Sequence, residues 1–596
     1  EVIYQKETVE GAARKLGFFQ TVAGDLGFEQ RFHEAVARVT PEQLQEVARR
    51  TFARSRLSAA LLLPAPAEGT TRAVGGDGAP PGAPPREAAP GTPEPSGQPV
   101  AGRLQPAEER PLQGEETLGT TLAVGGLPAR DPAVPALAAS YAFPDEGRLV
   151  QLAREVERAT VRRFQAPPLP PAVQGIHRLT LDSGLTLLIQ PDRSVPLVAA
   201  RVAFLGGLRA ETVQTQGIEN LVARLLTQGT STRAGEEIAR EFDRLGGGVG
   251  GFSGRNTLGL RAEFHADHLA EGLALLADCL LDPVFPAVEV ERERDLVLEE
   301  IRARDDNLGS LAFRAFAGQL FRDHPYRFDL LGEEETVARL TRQQLQEHYT
   351  RRYGLARGVL SVVGDVDPAE VVRLVHGLLG RPGASGMAPP PRLPWTPPDS
   401  RQLVFRYRDR AQAHIVLGFP GATVDSPDRF ALDLLHTVLN GQGGRLFREL
   451  RDRRGLAYSV GAALTEGVDP GSFALYLAVA PERVDEAVTA LLAELRRLQA
   501  EGIDPAELRR AQEYLLGSQA ISLQRGSERA ATLAFNELYQ LGCDAHLRYP
   551  AAILAVSAEG VRDVARRYLD LERYTLAVVK PQDARDAGID AVPPGP

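Results

Sequence analysis

Val39-Thr-Pro-Glu-Gln-Leu-Gln-Glu-Val-Ala-Arg-Arg-Thr-Phe52 returns near the other end of the chain as Val556-Ser-Ala-Glu-Gly-Val-Arg-Asp-Val-Ala-Arg-Arg-Tyr-Leu569. A shorter third copy is Leu340-Thr-Arg-Gln-Gln-Leu-Gln-Glu-His-Tyr349. In each copy a hydroxyl residue (Thr40, Ser557, Thr341) stands where a helix cap is needed, and an apolar, strand-like run follows: Leu57–Leu63, Tyr574–Val579 or Gly358–Val363. Capping boxes alone are common, but the matched strand and the shared Val-Ala-Arg-Arg identify a repeat. Three α/β units that end alike imply duplicated domains rather than one globule.

Working outward, the chain has 596 residues, several times the ~150 of a typical domain. It is 43% hydrophobic and 24% charged, enough to build sizeable cores, so a wholly disordered chain is excluded. The 68 basic and 78 acidic residues leave a net charge of -10, which argues against nucleic acid or an anionic membrane as the main partner. No apolar run approaches the ~20 residues of a membrane helix, and no signal segment opens the chain, so the compartment is not readable. Cys279 and Cys543 lie far apart in what read as apolar helical surroundings, which excludes a disulfide framework and a cysteine zinc site. Met387 is the one methionine and Glu1 stands inside a helical pattern, so a start upstream is expected.

Residues 64–171 are rich in Pro, Gly and Ala, as in Gly78-Ala-Pro-Pro-Gly-Ala-Pro-Pro85, and cannot bury enough apolar area to offset their ordering entropy. They are predicted to be a largely disordered linker with one helical stretch near 147–163. A hairpin is expected from Ile176 to Ile189, then a strand Val198–Phe204 ending in Gly206-Gly207, whose place at an edge or inside a sheet stays open. Helices are expected near 216–228, 234–246, 266–281, 287–304, 308–321 and 341–353. After a Pro-rich connector, 383–399, come strands near 402–408 and 412–418 and helices near 427–440 and 444–453. Strands near 457–465 and 471–478 follow, then helices near 481–501 and 505–522. Further helices to about 569 lead to the closing strand, and 583–596 is a tail.

Ordered motifs then carry a family resemblance. Phe204-Leu-Gly-Gly-Leu-Arg-Ala-Glu211, Gly217-Ile-Glu-Asn-Leu-Val-Ala-Arg-Leu-Leu-Thr-Gln-Gly-Thr230, Glu299-Glu-Ile301, His324-Pro-Tyr326 and Val362-Val-Gly-Asp-Val-Asp367 resemble, in order, a domain of the pitrilysin/insulinase zinc metallopeptidases. So does Gly443-Gly-Arg-Leu-Phe-Arg-Glu-Leu-Arg-Asp-Arg-Arg-Gly-Leu-Ala-Tyr-Ser-Val460. These inverzincins include processing-peptidase-like members. The resemblance covers about 172–582 and implies an α+β fold: two homologous domains, 172–382 and 400–582, each an antiparallel-rich sheet covered by helices. Together they would form half of a clamshell, with residues 1–63 as the remnant of a preceding half.

In active members an H-x-x-E-H helix binds zinc through two histidines one turn apart, its Glu acts as general base, and a distal Glu completes the site. The matching positions here are Asn220, Ala223 and Arg224, with Glu300 as the surviving distal acid. Asn is a poor zinc ligand, Ala takes no proton, and Arg brings a permanent positive charge to the metal's place. No cofactor is therefore expected on this chain, and zinc belongs to the complete enzyme. His265 and His268 lack a matching carboxylate and read as surface or capping residues; His324 reads as a turn residue, and His414 and His436 as structural. Glu219 is one residue off the motif's register and receives no role.

The resemblance also implies a pair that grips the substrate backbone, and Arg451 and Tyr458 match it in type and spacing. Gly455 stops a helix between them, placing Arg451 in its last turn and Tyr458 at the start of a strand. The implied partners are unfolded peptide and a zinc-bearing half, on the same polypeptide or another, whose hydrolytic site this non-catalytic half would complete. The rival reading is a proteolytically inactive binding or scaffold protein on the same fold.

Overall fold

The computed structural model describes residues 7–23, 25, 28–52, 167–381 and 392–581. The expected strand at 57–63, the helix near 147–163, nearly all of the linker, the first half of the connector and the tail lie outside them. The described residues fall into two units, one holding 7–28 with 167–581 and the other 29–52. The smaller unit is helical; its helix Pro41–Thr51 starts at Thr40, whose hydroxyl accepts from the Gln43 N–H while Gln43 reaches back to the cap.

Two sheets organise the larger unit. The first contains β1 (His177–Thr180), β2 (Thr186–Pro191), β3 (Leu197–Leu205), β4 (Gly248–Ser253), β5 (Thr257–His265) and β6 (Gly358–Gly364), in the order β1-β2-β6-β3-β5-β4. The second contains β7 (Gln402–Tyr407), β8 (Ala413–Pro420), β9 (Ala457–Thr465), β10 (Ser472–Val479) and β11 (Thr575–Lys580), in the order β7-β11-β8-β10-β9. Apart from β1 the two share one plan. A parallel pair (β2 with β6, β7 with β11) is followed by antiparallel neighbours to an outer strand, β4 or β9. Every residue of β6 and of β11 is buried, as central strands covered on both faces require.

Three sequence expectations change. β3, left open between edge and interior, is interior, flanked by β5 and β6. The segment expected as helix 444–453 is a π-helical turn, Phe447–Arg453. Cys543 sits in a turn rather than a helix and is half-buried, whereas Cys279 is buried in the helix Leu269–Leu281.

Each sheet is covered by a helix from the stretch of chain that builds the other sheet. Leu308–Leu320 packs Ala312, Phe316 and Leu320 onto Val416, Ala474 and Ala577 of the second sheet, and Gly418 lies so close beneath Phe316 that a Cβ there would meet its ring at 2.6 Å. Gly526–Leu538 lays Ala530, Leu533 and Ala534 on Leu188, Ala199 and Val363 of the first. Each fully buried large apolar side chain contributes roughly 1.5–3 kcal/mol, so this exchange ties the two sheets together. A buried ion pair joins them as well: Arg209 Nε donates to Asp469 Oδ2 at 2.5 Å, while the Leu393 N–H donates to Oδ1 at 2.9 Å. His324, expected in a turn, caps Pro325–Arg327 through Nδ1 and turns its Nε2 to within 3.2 Å of Asp469. Among the described residues no helix is long and apolar enough to cross a membrane.

Candidate functional site

The helix that carries the motif positions spans Ile218–Leu225. It begins at Gly217, at φ +87, where no side chain of the cap residue can hold the free N–H groups. Glu211 does so from outside the helix, accepting from the Gly217 and Glu219 N–H groups, each at 3.1 Å. Burial pushes the Glu211 carboxyl well above the usual range, an effect that Glu219 and Asp329 reinforce.

Glu219, given no role in sequence, is buried in this first turn. It accepts from the Gly207 N–H at 3.0 Å and from the Tyr353 hydroxyl, and it pairs with His348 Nε2. Burial, and secondarily Glu219, push the Tyr353 phenol well above its ordinary value. Gly207, at φ +65, lies so close to the Gly254 carbonyl that a Cβ would come within 1.9 Å of its oxygen. That contact explains the second glycine of Gly206-Gly207. A signal for Glu219 existed: it stands three positions before Val222, on the apolar face of the helix.

The degenerate positions form a closed cluster. Arg224 Nε donates to Asn220 Oδ1 at 2.7 Å and its Nη2 to Glu300 Oε2 at 2.5 Å, with Glu293 Oε2 3.7 Å from Nη1. The guanidinium therefore engages both the Asn220 amide oxygen and the Glu300 carboxylate, two of the positions singled out by the resemblance. Ala223 offers no proton acceptor, and its carbonyl lies under Gly251 of β4, where a Cβ would come within 1.8 Å of it. This donor set does not fit a divalent cation. Among the described residues no group of three or more His, Cys, Asp or Glu could hold a metal. His265 and His268 are engaged locally, His265 Nδ1 by the Asp267 N–H and His268 Nδ1 by Glu271 at 3.0 Å.

The second constellation is open. Gly455, at φ +56, ends the π-helical turn, and its N–H and that of Leu456 return to the carbonyls of Arg451 and Leu450. Arg451 is left over aromatic faces, its guanidinium carbon 4.6 Å from the Phe447 ring centre and 5.5 Å from that of Tyr458. Tyr458 is 75% exposed on β9, the outer strand of its sheet. β4, the outer strand of the first sheet, lies against the motif helix; among the described residues neither β4 nor β9 has a partner on its outer side.

A family model described as Insulinase (Peptidase family M16) matches residues 186–334, and one described as Peptidase M16 inactive domain matches 339–515. A protein of Mycobacterium tuberculosis, named an uncharacterized zinc protease, is 32% identical over 425 residues, covering 71% of this chain and 97% of that protein. A Bacillus subtilis protein named in the same way is 29% identical over 408 residues, covering 68% of this chain and 98% of its own length. The crystal structure of a peptidase M16 inactive domain from Pseudomonas fluorescens agrees with a TM-score of 0.64 at 21% identity, covering 69% of this chain and 98% of that chain, a likeness of fold. Identity near one third along almost the whole of a relative, on this pair of matched sheets, makes the chain a member of peptidase family M16, the insulinase family.

Proposed function

We propose that this chain supplies the non-catalytic, peptide-holding half of an M16 zinc metallopeptidase and acts only when closed against a half that carries the metal. The observation that supports the reading is the Arg224–Glu300 pair, 2.5 Å long, which sets a fixed cation against the acid at the positions where the resemblance implies metal ligands. Unfolded peptide would add as a strand along an outer sheet edge, held by backbone hydrogen bonds with little side-chain discrimination. The exposed β4 and β9 edges support that mode. Arg451 and Tyr458 would then point two donors at the oxyanion developing at the other half's metal, an interaction that typically contributes about 2.7–4 kcal/mol per donor in a dry site.

Zinc analysis and a peptide-cleavage assay on the chain alone test this. The expected result is no stoichiometric zinc and no turnover; stoichiometric zinc with turnover overturns it. A scaffold role differs in one respect, since Arg451→Ala in the assembled protein would then leave turnover untouched.

A further inference from the structure

The N-terminal helices have no part in the site just described, yet they repeat the closing helices of the second domain without an insertion. Val9–Phe18, Phe28–Val36 and Pro41–Thr51 each begin 517 positions before a counterpart, at Gly526, Ala545 and Ala558. The caps agree, Thr40 accepting from the Gln43 N–H as Ser557 does from that of Gly560. The apolar positions agree too, but their surroundings do not. Val36, Leu44, Val47 and Phe52 are 52, 62, 50 and 84% exposed, while the matching Ile553, Val561, Val564 and Leu569 are 0, 0, 3 and 0% exposed. Leu16, 57% exposed, matches Leu533, which is fully buried.

What covers the C-terminal copy is known from the same chain. Leu533 lies on the first sheet, whereas Ile553, Val561, Val564 and Leu569 lie in the core of the second. The complementary surface thus spans both sheets of a half. We infer that residues 9–52 are the closing helices of a second half of this build, and that the exposed apolar side chains of each helix dock onto the sheets of such a half. A second copy of this chain does not suit, because its own helices Gly526–Leu538 and Ala558–Tyr568 already occupy those sites. The inference rests on the reading above in one respect, that a second half exists, and it names the surface by which that half is recognised.

A graft tests the fit. In the full chain, Phe28–Phe52 replaces Ala545–Leu569, a span of equal length, and a control graft carries Leu44→Asp and Val47→Asp as well. The expected result is a cooperative unfolding transition for the first graft and its loss in the control. The same two substitutions at their native positions should leave the transition of the rest unchanged, since both side chains are exposed there. If the long graft fails, the shorter exchange of Pro41–Phe52 for Ala558–Leu569 must fold; failure of both, or equal folding of graft and control, overturns the inference. Zinc-dependent turnover by the chain alone would sink the functional reading and leave the graft result standing, so the two failures are distinguishable.

Discussion

Arg224 and Arg451 are the same side chain in opposite circumstances. Arg224 donates to Asn220 and Glu300 from a helix packed against the sheet, so its charge is matched by a carboxylate of the chain itself in a part-exposed pair. Arg451 rests on the faces of Phe447 and Tyr458, and among the described residues it forms no ion pair. A guanidinium on aromatic rings keeps in-plane donors available to a ligand, while one held between carboxylates does not. The first arginine is engaged by its neighbours, and the second keeps its donors for a ligand.

The largest test of that contrast reverses the closure. Asn220→His, Ala223→Glu and Arg224→His together rebuild H-x-x-E-H opposite Glu300. The expected outcome is stoichiometric zinc with a Kd at or below about 1 μM, roughly 8 kcal/mol of binding. A folded triple variant that takes up no zinc would show that the arginine is not what closes the site.

Next in size is Glu219→Ala, which strips acceptors from the Gly207 N–H and the Tyr353 hydroxyl and leaves His348 without its carboxylate. Each buried group left unsatisfied costs ~1–3 kcal/mol, so a loss of about 3–5 kcal/mol in denaturant unfolding is expected. A loss under ~1 kcal/mol would mean the cluster is not what anchors the helix.

On the open side, Arg451→Ala should lower kcat/KM about 100-fold in the assembled enzyme, the effect of losing one oxyanion donor, with the unfolding midpoint of the chain unchanged. A shifted midpoint with unaltered turnover would assign Arg451 to packing.

The smallest effect concerns pH. Glu211 has a folded-state pKa raised well above 4.5, so its neutral form favours folding: the contribution is full below that value and is lost as pH rises through the raised pKa. Glu211→Gln should flatten this fall in stability with rising pH, read from urea unfolding across the pH series. An unchanged slope would place the proton elsewhere.

Local order was legible where periodicity and caps coincide, as in the helices Ala287–Asp305 and Pro505–Ser522. β4 was not, because Gly246-Gly-Gly-Val-Gly-Gly-Phe252 reads as turn, and only the ladder offered by β5 draws it into a strand. The helix Pro368–Leu379 has a readable start in Asp367-Pro368, with Pro at its first position. Asn220, Ala223, Arg224 and Glu300 are singled out in sequence only through the family resemblance, and the structure brings Asn220, Arg224 and Glu300 together. Glu219 shows in sequence only as an acid on an apolar helix face, because its partners Tyr353 and His348 stand far along the chain, while Glu211 acts through the nearby Gly217 and Glu219 N–H groups, a loop-to-helix contact that no periodicity marks.

By itself the sequence determined the repeat, the lack of metal-binding side chains at the motif and the Arg451–Tyr458 spacing, because each is written within a few helical turns. Only the tertiary structure decided that β3 is interior, that each sheet is covered by a helix from the stretch building the other, and that Arg209 meets Asp469. Strand order and burial depend on pairings across hundreds of residues, where many partners are chemically acceptable and only the packing of the whole selects one.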